Sequence, residues 1–136
     1  MKIVVDSWAW VEILKLSDAG KVAKDELEQA DDAFTPSVVL AELARKYLRE
    51  GTDEATVSGW LRGISEATEP YGIDVRLAVE SAKAAAELTA KAKREGLESP
   101  GLGDALVLAT ARETQAKVLT GDRHFKGLPE AIWLAG

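Results

Sequence analysis

The opening segment, Met1–Leu14, constrains the chain most. Ile3-Val4-Val5 is a short β-branched apolar run that stops at Asp6. Such a run reads as a buried strand. Ser7 follows, then Trp8-Ala9-Trp10-Val11, with Ile13 and Leu14 beyond. Ser7 is a residue type that caps helices, so it fits a helix start. The chain therefore opens as strand, carboxylate, helix. Open α/β sheets bind ligands outside the carboxyl ends of their strands. Asp6 is then either a turn or capping residue or the first member of a site, and the rest of the chain must decide.

The remaining sequence repeats that alternation. Ser17-Asp18-Ala19-Gly20 reads as a turn, and Lys21 to Ala30 as a polar helix. Ala33-Phe34-Thr35 reads as a second strand. Thr35-Pro36 then reads as N-cap and first helical residue of a helix that ends at Gly51. Glu42 interrupts its apolar front half, as a solvent-facing residue or a site residue. Asp53 to Ser65 carries Val57, Trp60, Leu61 and Ile64 at helical spacing and suggests a helical hairpin with its predecessor. Tyr71 to Val75 reads as a third strand. Asp74 caps a long Ala-rich helix, Arg76 to Glu95, closed by Gly96. Ser99 to Gly103 is a loop that delivers Asp104 to the first turn of another helix, where its charge suits the helix dipole. Lys117-Val118-Leu119-Thr120 is a fourth strand ending at Gly121-Asp122, and Ala131 to Leu134 a fifth.

Strands alternating with helices predict a mainly parallel sheet with helices on both faces. Parallel strands bring their carboxyl ends to one edge. Asp6 ends the first strand and Asp122 the fourth, while Glu42 and Asp104 lie near the starts of helices that follow the second and third. All four acids can meet on that edge. Together they would repel one another unless a cation neutralised them.

Composition narrows the cation. The 136 residues include no cysteine and one histidine, His124, which excludes thiolate and His-rich zinc sites and leaves oxygen donors suited to magnesium or manganese. A length of 136 residues fits a single domain over 1–136. No apolar run approaches the roughly 20 residues that span a bilayer, and the N-terminus lacks the layout of a signal peptide. A cytoplasmic protein without membrane association is expected. The net charge of -6 argues against a general nucleic-acid binder, but not against an enzyme whose basic residues form local patches.

The blocks Asp6-Ser7-Trp8-Ala9-Trp10, Thr35-Pro36-Ser37-Val38-Val39-Leu40-Ala41-Glu42-Leu43, Gly103-Asp104-Ala105-Leu106 and Leu119-Thr120-Gly121-Asp122-Arg123-His124-Phe125 resemble those of PIN-domain ribonucleases. The compact VapC-type toxins of toxin–antitoxin pairs are the kind most similar. The resemblance spans essentially the whole chain, in order. It implies a five-stranded parallel sheet in the order 3-2-1-4-5 and a metal-dependent nuclease hydrolysing RNA phosphodiesters. Asp6 and Asp104 match the family's main Mg2+ or Mn2+ ligands. Glu42 and Asp122 match its supporting acids, and Thr120 the hydroxyl residue that orients the fourth acid, with Ser7 beside the first. Many members carry a further Asp two residues after that acid; His124 stands there, and is expected at the rim. A response-regulator receiver would need an acidic pair after the first strand, but Ser7 follows Asp6. A haloacid-dehalogenase-like phosphatase would need a second Asp where Trp8 stands.

Arg123 and Lys126, beside Asp122, are the expected RNA contacts. Arg45, Lys46 and Arg49, and Lys91, Lys93 and Arg94, read as solvated helix faces. The resemblance also implies a homodimer, with Tyr47, Leu48 and Trp60 of the hairpin either at its interface or in the core. It further implies a cognate antitoxin. The first helix is apolar around most of its circumference, whereas a surface helix shows one stripe. Trp8, Trp10, Val11 and Leu14 are therefore the expected antitoxin contacts, unless later helices bury both sides. The alternatives are a stand-alone RNA-processing nuclease and a PIN-fold module that only binds.

Overall fold

The computed structural model describes residues 1–136. In chain order the elements are β1 (Lys2–Val5), α1 (Ser7–Lys15), α2 (Asp18–Gln29), β2 (Asp32–Pro36), α3 (Ser37–Arg49), α4 (Glu54–Ala67) and β3 (Glu69–Tyr71). They continue as α5 (Val75–Glu95), α6 (Leu102–Thr114), β4 (Lys117–Thr120), a 3-10 turn (Arg123–Phe125) and β5 (Ala131–Trp133). The strands form one five-stranded sheet in the order β3-β2-β1-β4-β5, as expected. Every pairing is parallel.

Successive strand residues face opposite sides of a sheet. Ile3, Val4 and Val5 of β1 and Val118, Leu119 and Thr120 of β4 are all fully buried. Both faces of the central strands are therefore covered, which explains why these strands read as continuous apolar runs rather than alternating ones. Val5 pairs with Leu119. Asp6 thus leaves the sheet level with Thr120, where the strand order turns back on itself. No helix is long and apolar enough to cross a membrane.

Several boundaries differ from the sequence reading, each for a local reason. Ser7 does not cap α1. Asp6 does: its Oδ1 accepts the Ala9 N–H at 2.8 Å. Ser17 to Gly20 is not a turn but the start of α2, with Ser17 Oγ accepting the Gly20 N–H at 3.0 Å. Thr35 does not cap α3. β2 runs on through Pro36, and α3 starts without a side-chain cap. The Thr35 hydroxyl is used inside the core instead. It accepts Trp10 Nε1–H at 3.1 Å and donates to Thr68 Oγ1 at 2.6 Å, which itself donates to the Ile64 carbonyl at 2.9 Å. The third strand comes earlier than expected and includes Pro70, which an edge strand tolerates because one side of its backbone needs no ladder. Asp53 and Asp74 do cap α4 and α5, and Gly96 closes α5 in the left-handed conformation at φ 68°.

Trp10 is 4% exposed and belongs to the hydrophobic core. The expectation that it contacts an antitoxin is corrected: its ring faces inward because its N–H has a buried acceptor in Thr35. Trp60 lies outside that core, 37% exposed, edge-to-face with Tyr47 at 5.1 Å between centroids. Leu48 is 47% exposed.

Candidate active site

The C-terminal edge of β1 and β4 gathers the expected acids. Asp6 is the deepest, 4% exposed. One of its oxygens is fixed by the Ala9 N–H, and the nearby Thr120 hydroxyl opposes the rise in the pKa of the same carboxyl group. Thr120 Oγ1 also accepts the Asp122 N–H at 3.0 Å. Thr120 thus lies between the first and the fourth acid and bonds to the backbone of the fourth. Asp122 lies two residues past β4, and its Oδ1 accepts the His124 N–H at 2.9 Å, which opens the 3-10 turn.

Asp104 sits in the first turn of α6 and reaches back to the Gly101 N–H at 3.3 Å. Glu42 enters from α3 and lies against Gly103. A Cβ on Gly103 would come within 2.6 Å of Glu42 Oε2, so glycine is what admits the carboxylate here. Gly121 has the same function for a ring: a Cβ there would meet Trp8 at 2.5 Å. Ser7 and Trp8 line one groove with Glu42 and Asp122.

The electrostatics record this crowding. Burial pushes the Asp6 carboxyl up to about 7, and the charges of Asp122 and Asp104 add to the effect. Burial and then Asp122 push Asp104 up to about 6, with His124 opposing. Burial and Asp104 raise Glu42, against the pull of Arg45. In this cluster the burial and the negative charges outweigh the positive influence of His124 and Arg45. Buried carboxylate oxygens of this kind suit a hard divalent cation, whose charge would reverse each of the shifts.

His124 is not a rim residue, contrary to expectation. Its ring is wedged in the cluster, with Nδ1 at 2.9 Å from Asp122 Oδ1 and 3.8 Å from Asp104 Oδ2. Nε2 lies 2.8 Å from the Glu98 carbonyl oxygen. Burial alone would lower its pKa, but the Glu98 carbonyl and the carboxylates of Asp122 and Asp104 outweigh it and raise it. Ligand atoms of Asp104, Asp122 and His124 lie within 4.8 Å of one another. The only sequence signal for this is a lone histidine two residues after a site acid, since the Glu98 carbonyl that places the ring comes from a distant loop.

Arg123 and Lys126 are exposed beside the acids and line a pocket with Gly121 and Trp133. Lys126 Nζ lies 5.5 Å from the centre of the Trp133 ring. Lys91, expected on a solvated face, is buried and paired with Glu95 at 2.8 Å. Val11 lines the groove beside Glu42, and Leu14 is half-buried on α1.

A parallel α/β sheet with carboxylates from its strand ends and from neighbouring helices meeting at the switch point defines a class of acidic-site domains. The PIN domain model matches residues 3–131, and the chain belongs to the PIN-domain family. The fold is similar to that of VapBC2 from Rickettsia felis, in a complex bound to a promoter DNA fragment, with 21% identity, 98% of this chain and 97% of that chain covered, and a TM-score of 0.70. It is also similar to VapBC-1 from nontypeable Haemophilus influenzae (14% identity, 98% and 96% covered, TM-score 0.71). Mycobacterium tuberculosis VapC20, a toxin that cleaves the sarcin–ricin loop, superposes as well (19% identity, 94% and 95% covered, TM-score 0.68). The sequence matches no curated protein.

Proposed function

We propose that this chain is a divalent-metal-dependent endoribonuclease, the toxin of a toxin–antitoxin pair, acting in the cytoplasm as a homodimer. The reading rests on one observation: Asp6, Glu42, Asp104 and Asp122 gather at the switch point of a PIN fold, where the charge of Asp122 helps to raise Asp6, Glu42 and Asp104. Likeness to VapBC complexes and to an RNA-cleaving VapC supports the toxin assignment.

Asp6 and Asp104 would be the principal holders of Mg2+ or Mn2+, with Glu42 and Asp122 in support. Such an ion lowers the pKa of water and offsets charge on phosphate oxygens. The protein's own part is placement. The cap bond from Ala9 fixes one oxygen of the Asp6 carboxylate in the orientation in which it would meet a cation. Gly103 lets Glu42 close the opposite wall. Arg123 and Lys126 draw the RNA backbone toward the acids, since phosphate charge dominates affinity for nucleic acid.

An antitoxin fits the groove lined by Trp8, Val11, Leu43, Glu42 and Asp122, with Leu14 farther along the same helix. An apolar segment there would place an arginine within reach of the carboxylates, where a charge-assisted pair replaces the cation. Trp10 has no part in this contact. The exposed Trp60 and Leu48, beside Tyr47, form the surface for a second copy.

The test is RNA cleavage by the purified chain with Mg2+ or Mn2+, followed by sequencing of the RNA ends. Wild type cuts and stops with a chelator, and Asp6→Asn, Asp104→Asn and Asp122→Asn abolish cutting. Variants that cut as fast as wild type would remove the site assignment. Copurification with the product of the neighbouring gene tests the antitoxin.

A further inference from the structure

The donor set of the site differs from an all-oxygen one at a single atom. His124 Nε2 faces the Glu98 carbonyl oxygen at 2.8 Å. A carbonyl only accepts, so Nε2 carries a hydrogen. In the neutral ring the lone pair is then on Nδ1, and Nδ1 points at Asp122 Oδ1 (2.9 Å) and Asp104 Oδ2 (3.8 Å). Ligands held about 2.1 Å from an octahedral ion lie about 3 Å apart when adjacent and about 4 Å apart when opposite. The separations around Nδ1 fall in that range. The other nitrogen's bond to a backbone carbonyl is the outer-shell support that metal-ligating histidines usually have. The ring has little freedom to leave, being 20% exposed and anchored through Nε2 at the Glu98 carbonyl and through the residue's backbone N–H at Asp122.

We propose that His124 Nδ1 is a direct ligand of the site's cation, beside Asp104 and Asp122, and that it tilts the site from Mg2+ toward Mn2+. The inference rests on the metal-dependent reading above. Its chemistry is donor softness: imidazole nitrogen favours first-row transition ions, whereas Mg2+ prefers oxygen. The Glu98 carbonyl belongs to the loop that leads into α6, so the same ring ties that loop to the 3-10 turn on the far side of the site.

The test uses the full chain without an affinity tag, in which His124 is the only histidine. Protein with natural-abundance or 15N-labelled histidine is loaded with Mn2+ and studied by pulsed electron paramagnetic resonance. The expected result is a 14N coupling to the ion that changes to the 15N pattern on labelling. In His124→Asp the coupling disappears, and the Mn2+-to-Mg2+ affinity ratio, read by competition, falls about tenfold or more. The isotope arm needs no variant, so a folding defect in His124→Asp cannot obscure the result. Bound Mn2+ without nitrogen coupling would overturn the role of His124 and leave the metal site standing. Failure of wild type to bind Mn2+ at all would overturn both.

Discussion

Glu42 and Gly103 approach so closely that a methyl group on the glycine would lie 2.6 Å from Oε2 of the glutamate. Gly103→Ala therefore tests the site without attacking the core. The atom it strikes is the far end of a flexible side chain, which can swing aside. We expect a thermal midpoint within about 3 °C of wild type, since a change away from the core costs about 0.5 kcal/mol or less. Cleavage should fall by about tenfold or more, because a displacement of about 1 Å in a positioned group is costly. Calorimetry beside a turnover assay checks both. Loss of activity with loss of fold would count against the assignment.

The pH dependence follows from the raised acids. Asp6 has a folded pKa of about 7 and Asp104 of about 6, both above the ordinary carboxylate value they regain on unfolding. Between pH 5 and 8 the folded state thus binds more protons than the unfolded state, and stability falls as pH rises. His124, also raised in the folded state, acts in the same direction: its contribution is present at low pH and is lost as pH climbs through its folded pKa. Metal-free protein should melt lower at pH 8 than at pH 5.5. A divalent cation should raise the midpoint more at pH 8. Asp6→Asn, which can keep the cap with its amide oxygen, should flatten the profile. A metal-free midpoint that rises with pH over this range would contradict the electrostatic account.

Trp10 and Trp8 should separate cleanly. Trp10→Ala is expected to cost about 3–5 kcal/mol, as for large aromatic truncations in cores. Trp10→Phe should cost about 1–2 kcal/mol, mainly through the lost bond to Thr35. Neither effect should act through a partner. Trp8→Ala should weaken binding of the copurified antitoxin by about tenfold or more, as for an interface anchor, with a smaller effect on unfolding. Denaturation curves and calorimetric titration supply the two readouts.

For the homodimer, Leu48→Lys with Trp60→Ser should give a monomer by light scattering at micromolar concentration while leaving the circular dichroism spectrum unchanged. A wild type that is already monomeric under those conditions would remove this surface from the proposal.

Much of the architecture could be read because β1 and β4 are buried on both faces and leave unbroken apolar runs. Asp6, Asp104 and Asp122 could be read because each stands at an element boundary, and Glu42 because it interrupts the apolar front half of α3. What escaped the sequence was the choice between equivalent polar neighbours. Asp6 and Ser7 are both capping residues, and only the path of the chain decides that Asp6 caps α1. Thr35 before Pro36 has the local form of a helix start, but a long-range partner, Trp10, claims its hydroxyl. Trp10 itself looked available to a partner because periodicity cannot show which side of an apolar helix the rest of the protein covers. His124 looked peripheral because its position depends on Glu98, 26 residues earlier.

The bonds from Trp10 to Thr35, Thr68 and the Ile64 carbonyl have a consequence for how reliably the site forms. Each hydroxyl has one hydrogen to give, so the relay runs in a single direction. Apolar contact is non-directional and would accept α1 at several settings along the sheet. The relay accepts one, and any other setting strands buried polar atoms. It acts as a key cut for a single seating of the helix. Because Asp6 caps that same helix, a wrongly seated α1 would carry the first carboxylate away from the others. Whether the four carboxylates meet is thus tied to a contact in the core, remote from the surface on which they open.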